Sequence, residues 1–157
     1  MIGWNRILCP VDFSDISNRA LQLAASLASR FDGSLLLIHV VEPIVAPADF
    51  TFGPMTSGEV EDRLVERSKT AVEDLMRTVN LPPDRVSCRV ERGRASGQIV
   101  KVAFDERSDL IVMGTHGYTG VAHALLGSTA ERVLRRAPCP VLTIKAPNGE
   151  AIEEEGE

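Results

Sequence analysis

The sequence alternates short apolar runs with longer stretches whose apolar residues recur every three or four positions, as on one face of a helix. The apolar runs are short enough to be strands and occupy residues 6–11, 35–41, 86–91, 110–113 and 141–144. Strands and helices that alternate along a chain are typical of an open parallel sheet with helices on both faces. The sequence therefore predicts an α/β fold with an open five-stranded parallel sheet in the order 3-2-1-4-5.

The strands differ in how they are expected to be buried. Residues 6–11 and 35–41 are apolar on both faces, which suits central strands covered by helices on both sides. Residues 86–91 alternate strictly between apolar and polar side chains, so we expect a strand with one wet face at an edge of the sheet. Nearby arginines are expected to form a solvated face: Arg85, Arg89, Arg92 and Arg94.

Capping residues indicate where the helices begin and end. Ser14 or Asp15 can cap the first helix, and Gly33 is expected at its C-cap. Thr56 and Glu59 have the spacing of a capping box, so a second helix is predicted to start there. The periodicity of this helix predicts its inward-facing residues: Val60, Leu64, Ala71, Val72, Leu75 and Val79.

The fourth apolar run leads into a loop with glycines at set places. Gly114-Thr115-His116-Gly117 is followed, after nine residues, by Gly127-Ser128, and then by Ala130 and Val133 at helical spacing. Glycine lets a bulky anion come close to the backbone, and a helix start offers free N–H groups and the positive end of the helix dipole. The loop therefore indicates a phosphate site, although tight turning alone would also explain the glycines.

Asp12 ends the first strand, which in the expected order lies beside the strand leading into the glycine loop. Ligands of open α/β sheets bind beyond the carboxyl ends of the strands, where the winding reverses. Asp12 and the loop should then face each other across one crevice, where the carboxylate can accept hydrogen bonds from ribose hydroxyls or an adenine amine. The alternative is that Asp12 only caps the helix that starts near Ser14.

Three segments together resemble the universal stress protein family. Pro10-Val11-Asp12-Phe13-Ser14 is similar to the family's first-strand motif, and His39-Val40-Val41-Glu42 to its second-strand ending. The pattern G-x2-G-x9-G-[ST] is similar to the signature of the family's ATP-binding branch. The resemblance covers about residues 5–145 and implies a Rossmann-like fold of the adenine nucleotide alpha hydrolase type.

The resemblance also implies a ligand, ATP or another adenine nucleotide together with Mg²⁺. Asp12 and the Val40 backbone would hold adenine and ribose, while Gly114 and Gly117 would bring backbone N–H groups close to the phosphates. His116 either contacts a phosphate or faces water. The candidate ligand-binding residues are Pro10, Val11, Asp12, Val40, Met113, Gly114, His116, Gly117, Gly127, Ser128 and Thr129.

Nothing in the sequence indicates efficient catalysis. No G-x4-GK[ST] motif occurs, which excludes a P-loop hydrolase, and no carboxylate pair or Ser/His pair suggests acid–base chemistry. We therefore predict a nucleotide-responsive regulator in a stress response, with at most slow ATP hydrolysis. Two alternatives stay open: a weak ATPase or phosphoryl or adenylyl transferase, and a nucleotide-independent dimeric scaffold or chaperone-like protein.

Length and charge narrow the remaining possibilities. A chain of 157 residues fits one domain, predicted over 1–146, with an acidic tail over 147–157 that is expected to be disordered. The net charge of −5 matches the five glutamates of that tail, because the other 17 acidic residues equal the 17 basic ones. An electrically neutral body argues against nucleic acid as the main partner.

The sequence also predicts location and assembly. Its apolar stretches are too short to cross a membrane, and strand-like sequence by Ile7 leaves no room for a signal peptide, so the expected location is the cytoplasm. The last strand, 141–144, is an apolar edge that invites pairing, and we predict a homodimer through it, as the resemblance also implies. Three cysteines without metal-site spacing predict no metal centre.

Overall fold

The protein is described here from a computed structural model, which places residues 3–43, 56–116 and 126–145. Gly117 of the glycine loop and the predicted acidic tail, 147–157, lie outside the described residues. The strands are β1 (Arg6–Pro10), β2 (Ser34–Val41), β3 (Val86–Arg92), β4 (Leu110–Gly114) and β5 (Val141–Ile144). The α-helices in the described part are α1 (Asp15–Arg30), α2 (Ser57–Arg77), α3 (Ala95–Asp105) and α4 (Ser128–Arg136).

The sheet has the strand order β3-β2-β1-β4-β5, with every neighbouring pair parallel. The predicted fold class and strand order are therefore confirmed, and the strand ends differ from the predicted ends by no more than one residue. β3 lies at one edge, as its alternating pattern predicted, and β5 lies at the other. β1 and β4 are adjacent, so the winding reverses between them.

Each face of the sheet is covered by its own apolar layer. On one face, Ile7 and Cys9 of β1 are buried together with alanines and Leu21 of α1 and Val72 of α2. On the other face, Leu8 of β1 is buried with apolar residues of α3 and α4. Successive residues of a strand point to opposite faces, so a central strand of this kind must be apolar throughout, as the sequence is.

Side chains begin the first two helices as predicted. Ser14 is the N-cap of α1, and its hydroxyl accepts a hydrogen bond from the Ser17 N–H at 3.2 Å. Thr56 and Glu59 form the capping box, with the Thr56 N–H donating to the Glu59 carboxylate at 2.7 Å. This hydrogen bond, together with one from the Thr56 hydroxyl, lowers the pKa of Glu59 below its ordinary value.

The inward face of α2 differs from the prediction by one position. Leu64 is 36% exposed, whereas Val65 and Val72 are buried. Their seven-residue spacing corresponds to two helical turns and places both valines on the sheet side of the helix. No helix in the described ranges is long and apolar enough to cross a membrane.

Gly33 does not occupy the predicted C-cap position. α1 is capped by Phe31, and Asp32 takes the left-handed conformation with φ 54°. Gly33 itself is required for another reason: a Cβ atom added to it would lie 2.4 Å from the backbone oxygen of Trp4. The close approach of two backbone segments, rather than a positive φ, demands glycine here.

A polar network ties the chain together at the amino ends of the strands. The Asp109 carboxylate, just before β4, accepts hydrogen bonds from the N–H groups of Asn5 at 2.8 Å and Arg6 at 3.1 Å. The Ser34 N–H donates to the Asn5 oxygen at 2.8 Å, which joins the starts of β1 and β2. We call these contacts, with those of Arg85 below, the amino-edge network.

Arg85 belongs to that network and not to the predicted solvated face. Its guanidinium donates to the backbone oxygens of Ala28 at 2.7 Å and Gly33 at 2.9 Å, and to the Asp32 carboxylate at 2.7 Å. The Arg85 side chain is only 23% exposed. A cation at the carbonyl end of α1 is also favoured by the helix dipole.

Candidate functional site

A cavity of about 360 Å³ opens where β1 and β4 end side by side. Its walls come from the ends of β1, β2 and β4 and from the first turns of α3 and α4. Only the carboxyl ends of parallel strands and the starts of the helices meet at this edge of the sheet. The cavity therefore lies at the predicted switch point.

The structure brings the predicted site residues together around this one cavity. All of those within the described ranges line it: Pro10, Val11, Asp12, Val40, Met113, Gly114, His116, Gly127, Ser128 and Thr129. The two segments that carry Asp12 and Gly127 are more than a hundred residues apart in the chain and become neighbours only through the fold.

Asp12 shapes the turn between β1 and α1. Its Oδ1 atom accepts hydrogen bonds from the Ser14 N–H at 3.0 Å and from the Ser14 hydroxyl at 2.5 Å. The Asp12 N–H donates to the Ser17 hydroxyl at 3.3 Å. Because Ser14 is the N-cap, Asp12 supports the cap rather than providing it, and Asp12 also lines the cavity.

The neighbouring residues hold this turn in place. Phe13 adopts φ 66°, which bulky side chains rarely do, and its ring packs against His39 with centroids 4.8 Å apart. The His39 Nδ1 atom lies 2.8 Å from the Val11 carbonyl oxygen. Since a carbonyl only accepts, Nδ1–H is the donor, and the strand end that carries Asp12 is anchored to β2.

Close packing explains the two described glycines of the loop. A Cβ atom on Gly114 would lie 2.5 Å from Cγ2 of Ile16, and one on Gly127 would lie 2.7 Å from the Thr115 oxygen. The Gly127 N–H also donates to that oxygen at 2.6 Å. Neither glycine has a positive φ, so their role in the fold is to let α1 and α4 start close to the end of β4.

The start of α4 is left open toward the cavity. Its N-cap is Gly127, and among the described residues no side chain caps its first N–H groups, whereas α1 is capped by Ser14. α3 differs as well, because the Ala95 N–H donates to the Glu42 carboxylate at 2.8 Å. An uncapped helix start with the hydroxyls of Ser128 and Thr129 beside it is suited to an anion.

His116 lines the cavity at the end of β4. Its Nδ1 atom is 3.0 Å from the Thr115 hydroxyl, and Thr115 is buried. Its Nε2 atom is inaccessible to water and has no hydrogen-bond partner in the described part of the chain. His116 is therefore held in the wall of the cavity by its contact with Thr115.

Sequence reasoning did not identify the apolar wall contributed by α3 and its surroundings. Ala95 and Ile99 line the cavity, as do Ile38 and Leu126. Local periodicity marks Ile99 only as a buried helix residue. Its place in the cavity depends on α3 and α4 sharing one face of the sheet, which the right-handed crossovers of the strand order would have indicated.

The described residues contain no group of three His, Cys, Asp or Glu side chains arranged to hold a metal ion. The three cysteines are free thiols. Burial raises the pKa of Cys9 strongly, and it also raises the pKa values of Cys88 and Cys139.

Comparison with known proteins agrees with this fold. The model of the universal stress protein family matches residues 3–145. The chain belongs to the universal stress protein family. This universal stress protein is 34% identical to one from Methanocaldococcus jannaschii, over 94% of this chain and 85% of the relative. It is also 34% identical to one from Thermus aquaticus, over 88% of this chain and 97% of the relative.

Solved structures of the family share the architecture. UspA of Lactobacillus plantarum superposes with a TM-score of 0.79 at 27% identity, covering 92% of this universal stress protein and 99% of UspA. A universal stress protein solved in complex with cAMP superposes with a TM-score of 0.65 at 22% identity, covering 91% and 98%. At that identity the second comparison bears on the fold alone.

Proposed function

We propose that this universal stress protein binds an adenine nucleotide in the cavity and acts as a nucleotide-responsive regulator. The observation that carries the proposal is that a carboxylate and an uncapped helix start border one cavity with an apolar wall. A nucleotide has the matching parts: an apolar base, a ribose with hydroxyl donors and an anionic phosphate group. Sites for small molecules are commonly apolar pockets with a few polar groups of this kind.

Each part of the nucleotide has a candidate partner. The base would lie against the apolar wall near Ile99 and Met113, with the Val40 backbone at its edge. The ribose hydroxyls would donate to Asp12, and the phosphates would accept from the first N–H groups of α4. For ATP, Mg²⁺ would supply positive charge to the phosphates. The phosphates themselves would hold the ion, because the described residues include no side-chain cluster for a metal.

One relative in the fold comparison was solved with cAMP. That ligand belongs to that protein, and it supports the proposal only in that this fold can hold an adenine nucleotide. We infer the regulatory role from the residues that a ligand would contact. A ligand in the cavity would touch the first turns of α3 and α4, and a ligand that favours one arrangement of these turns changes the surface that partners meet. The cytoplasmic location stays a prediction from the sequence.

Thermal melting with matched variants tests the binding. Ser128 and Ser57 are both exposed first residues of helices, and Ser128 lines the cavity whereas Ser57 does not. An aspartate at either position suits a helix start, but Ser128→Asp places a negative charge where the phosphate would bind. A nucleotide at about 100 times its Kd adds about 2.7 kcal/mol, which raises the melting temperature by several degrees.

The ligands are adenosine, AMP, cAMP and Mg-ATP. We expect the melting temperature of the parent and of Ser57→Asp to rise with these ligands. In Ser128→Asp we expect no rise with the three ligands that carry phosphate. No rise for any ligand in the parent would leave the nucleotide-independent scaffold as the better reading. Steady ATP hydrolysis well above background would instead favour an enzyme.

We also propose a homodimer through β5. This edge strand carries no charge and Leu142 is 37% exposed, whereas the opposite edge strand, β3, carries Arg89, Glu91 and Arg92. Charged side chains protect an edge against pairing, and an apolar edge needs cover. Two copies of β5 related by a two-fold axis would provide that cover.

Sedimentation velocity tests the dimer. At micromolar concentration we expect the parent and Ser87→Lys, on the β3 edge, to sediment as dimers, and Leu142→Lys to sediment as a monomer with its fold retained by circular dichroism. A parent that sediments as a monomer would contradict the proposal.

A further inference from the structure

The cavity is poor in positive charge. Among its described lining residues, none is lysine or arginine, and the side chain with a full charge at neutral pH is the Asp12 carboxylate. The Glu42 carboxylate lies nearby, because it accepts from the N–H of the lining residue Ala95. A phosphate chain entering the cavity would therefore meet negative rather than positive side chains.

The surrounding sequence does not supply the missing cations. Residues 114–130, which include the whole glycine loop, contain no lysine or arginine, and neither do residues 42–62. Arg92, at the end of β3, is paired with Asp62 at 2.6 Å. Arg94 directly precedes Ala95 and Lys145 directly follows β5, but neither lines the cavity.

For a phosphate, the described part of the site offers neutral donors. Ser128 and Thr129 at the start of α4 line the cavity, and no side-chain hydrogen bond among the described residues caps the first N–H groups of this helix. A helix start of this kind can bind a phosphate group, but it carries only the partial charge of the helix dipole.

Charge then separates the adenine nucleotides from one another. A triphosphate chain carries about four negative charges near neutral pH, whereas a single phosphate group carries about two, and a cyclic phosphodiester about one. Repulsion from Asp12 and Glu42 grows with each added charge, and it is strong where water is partly excluded.

We propose that this cavity selects adenine nucleotides with a single phosphate group, AMP or cAMP, over metal-free ATP. The inference rests on the proposed function, since it concerns the ligand of the same cavity. It also implies that Mg²⁺ improves the binding of ATP by reducing the charge of the ligand.

Isothermal titration calorimetry of the full chain tests the order of affinities. The ligands are adenosine, AMP, cAMP, ATP with EDTA and ATP with excess Mg²⁺. We expect AMP or cAMP to bind at least about tenfold more tightly than ATP with EDTA. With excess Mg²⁺ we expect a smaller difference between the affinity for ATP and the affinity for AMP or cAMP. ATP with EDTA binding as tightly as both AMP and cAMP overturns the inference and leaves the proposed function standing. If none of the five ligands binds, the proposed function itself fails.

Two variants of Ser128 that differ in charge test whether the lack of positive charge causes this order of affinities. Ser128→Lys introduces a cation at the start of α4, and Ser128→Gln is its neutral control of similar length. The ratio of the AMP affinity to the affinity of ATP with EDTA cancels any effect on the base and ribose. We expect this ratio to lie about tenfold further toward ATP in Ser128→Lys than in Ser128→Gln. Equal ratios in both variants would overturn the charge argument.

Discussion

Replacing Gly33 by alanine is expected to lower the free energy of unfolding by about 3 kcal/mol, or roughly 6–12 °C in melting temperature for a chain of this size. The added methyl group would lie 2.4 Å from the Trp4 oxygen and 3.1 Å from the Asn5 Cα. Both contacts are with backbone atoms, so the backbone at Trp4 and Asn5 must move away from Gly33. This movement disturbs the adjacent pairing of β1 with β2, which begins at Arg6 and Ser34. Urea unfolding followed by circular dichroism measures the loss.

Gly97→Ala is the matched control. Gly97 lies in the first turn of α3, and no atom comes within 4 Å of the position of an added Cβ. Alanine is the better helix former, so this variant is expected to gain up to about 0.5–1 kcal/mol. If the two substitutions change stability alike, the close approach at Gly33 does not constrain the fold.

Replacing Arg85 by alanine is expected to cost about 3 kcal/mol, since hydrogen bonds made by a charged group contribute about 1.5–3 kcal/mol each. The loss comes from the backbone oxygens of Ala28 and Gly33, which are left without this donor at the end of α1. The ion pair with Asp32 adds little, because the Asp32 side chain is 93% exposed. Arg85→Lys keeps the charge but not the planar fork, so an intermediate loss is expected.

Arg77→Ala provides the comparison for Arg85. Arg77 is also paired with an acidic residue, Asp74, at 2.5 Å, but both side chains are about two-thirds exposed. Exposed pairs of this kind contribute at most about 1 kcal/mol. A denaturation curve for Arg85→Ala that overlays the one for Arg77→Ala would show that the amino-edge network does not depend on the arginine.

Much of the fold could be predicted because its signals are local and periodic. Each of these signals lies within a few residues of sequence. The structure has the expected features in the expected places: β1 and β2 apolar on both faces, the alternating β3, the Ser14 cap and the Thr56 capping box. The cavity followed from the strand order, since a parallel sheet with this order brings the ends of β1 and β4 together.

The remaining features depend on contacts between distant segments, which periodicity does not encode. Gly33 reads as a helix stop in the sequence, but its neighbour in space is Trp4. Arg85 reads as one of several arginines near an edge strand, and only its contacts with Ala28 and Gly33 distinguish it from Arg89, which forms exposed ion pairs.

The glycine loop is a mixed case. Its pattern pointed to the edge of the sheet where the cavity lies, yet packing against Ile16 and Thr115 explains Gly114 and Gly127. Valine at either glycine would therefore disturb the fold as well as any ligand, which is why Ser128 is the better position for testing the binding. Whether these glycines also approach a phosphate stays a prediction.

The amino-edge network and the cavity occupy opposite ends of the same strands. Asp109, Arg85 and Gly33 fasten the chain before the strands begin, whereas the loops around the cavity leave after the strands have ended. The lining of the cavity is therefore separate from the contacts that fasten the starts of the strands. A substitution in that lining can change which molecule fits the cavity without removing any of the anchoring hydrogen bonds.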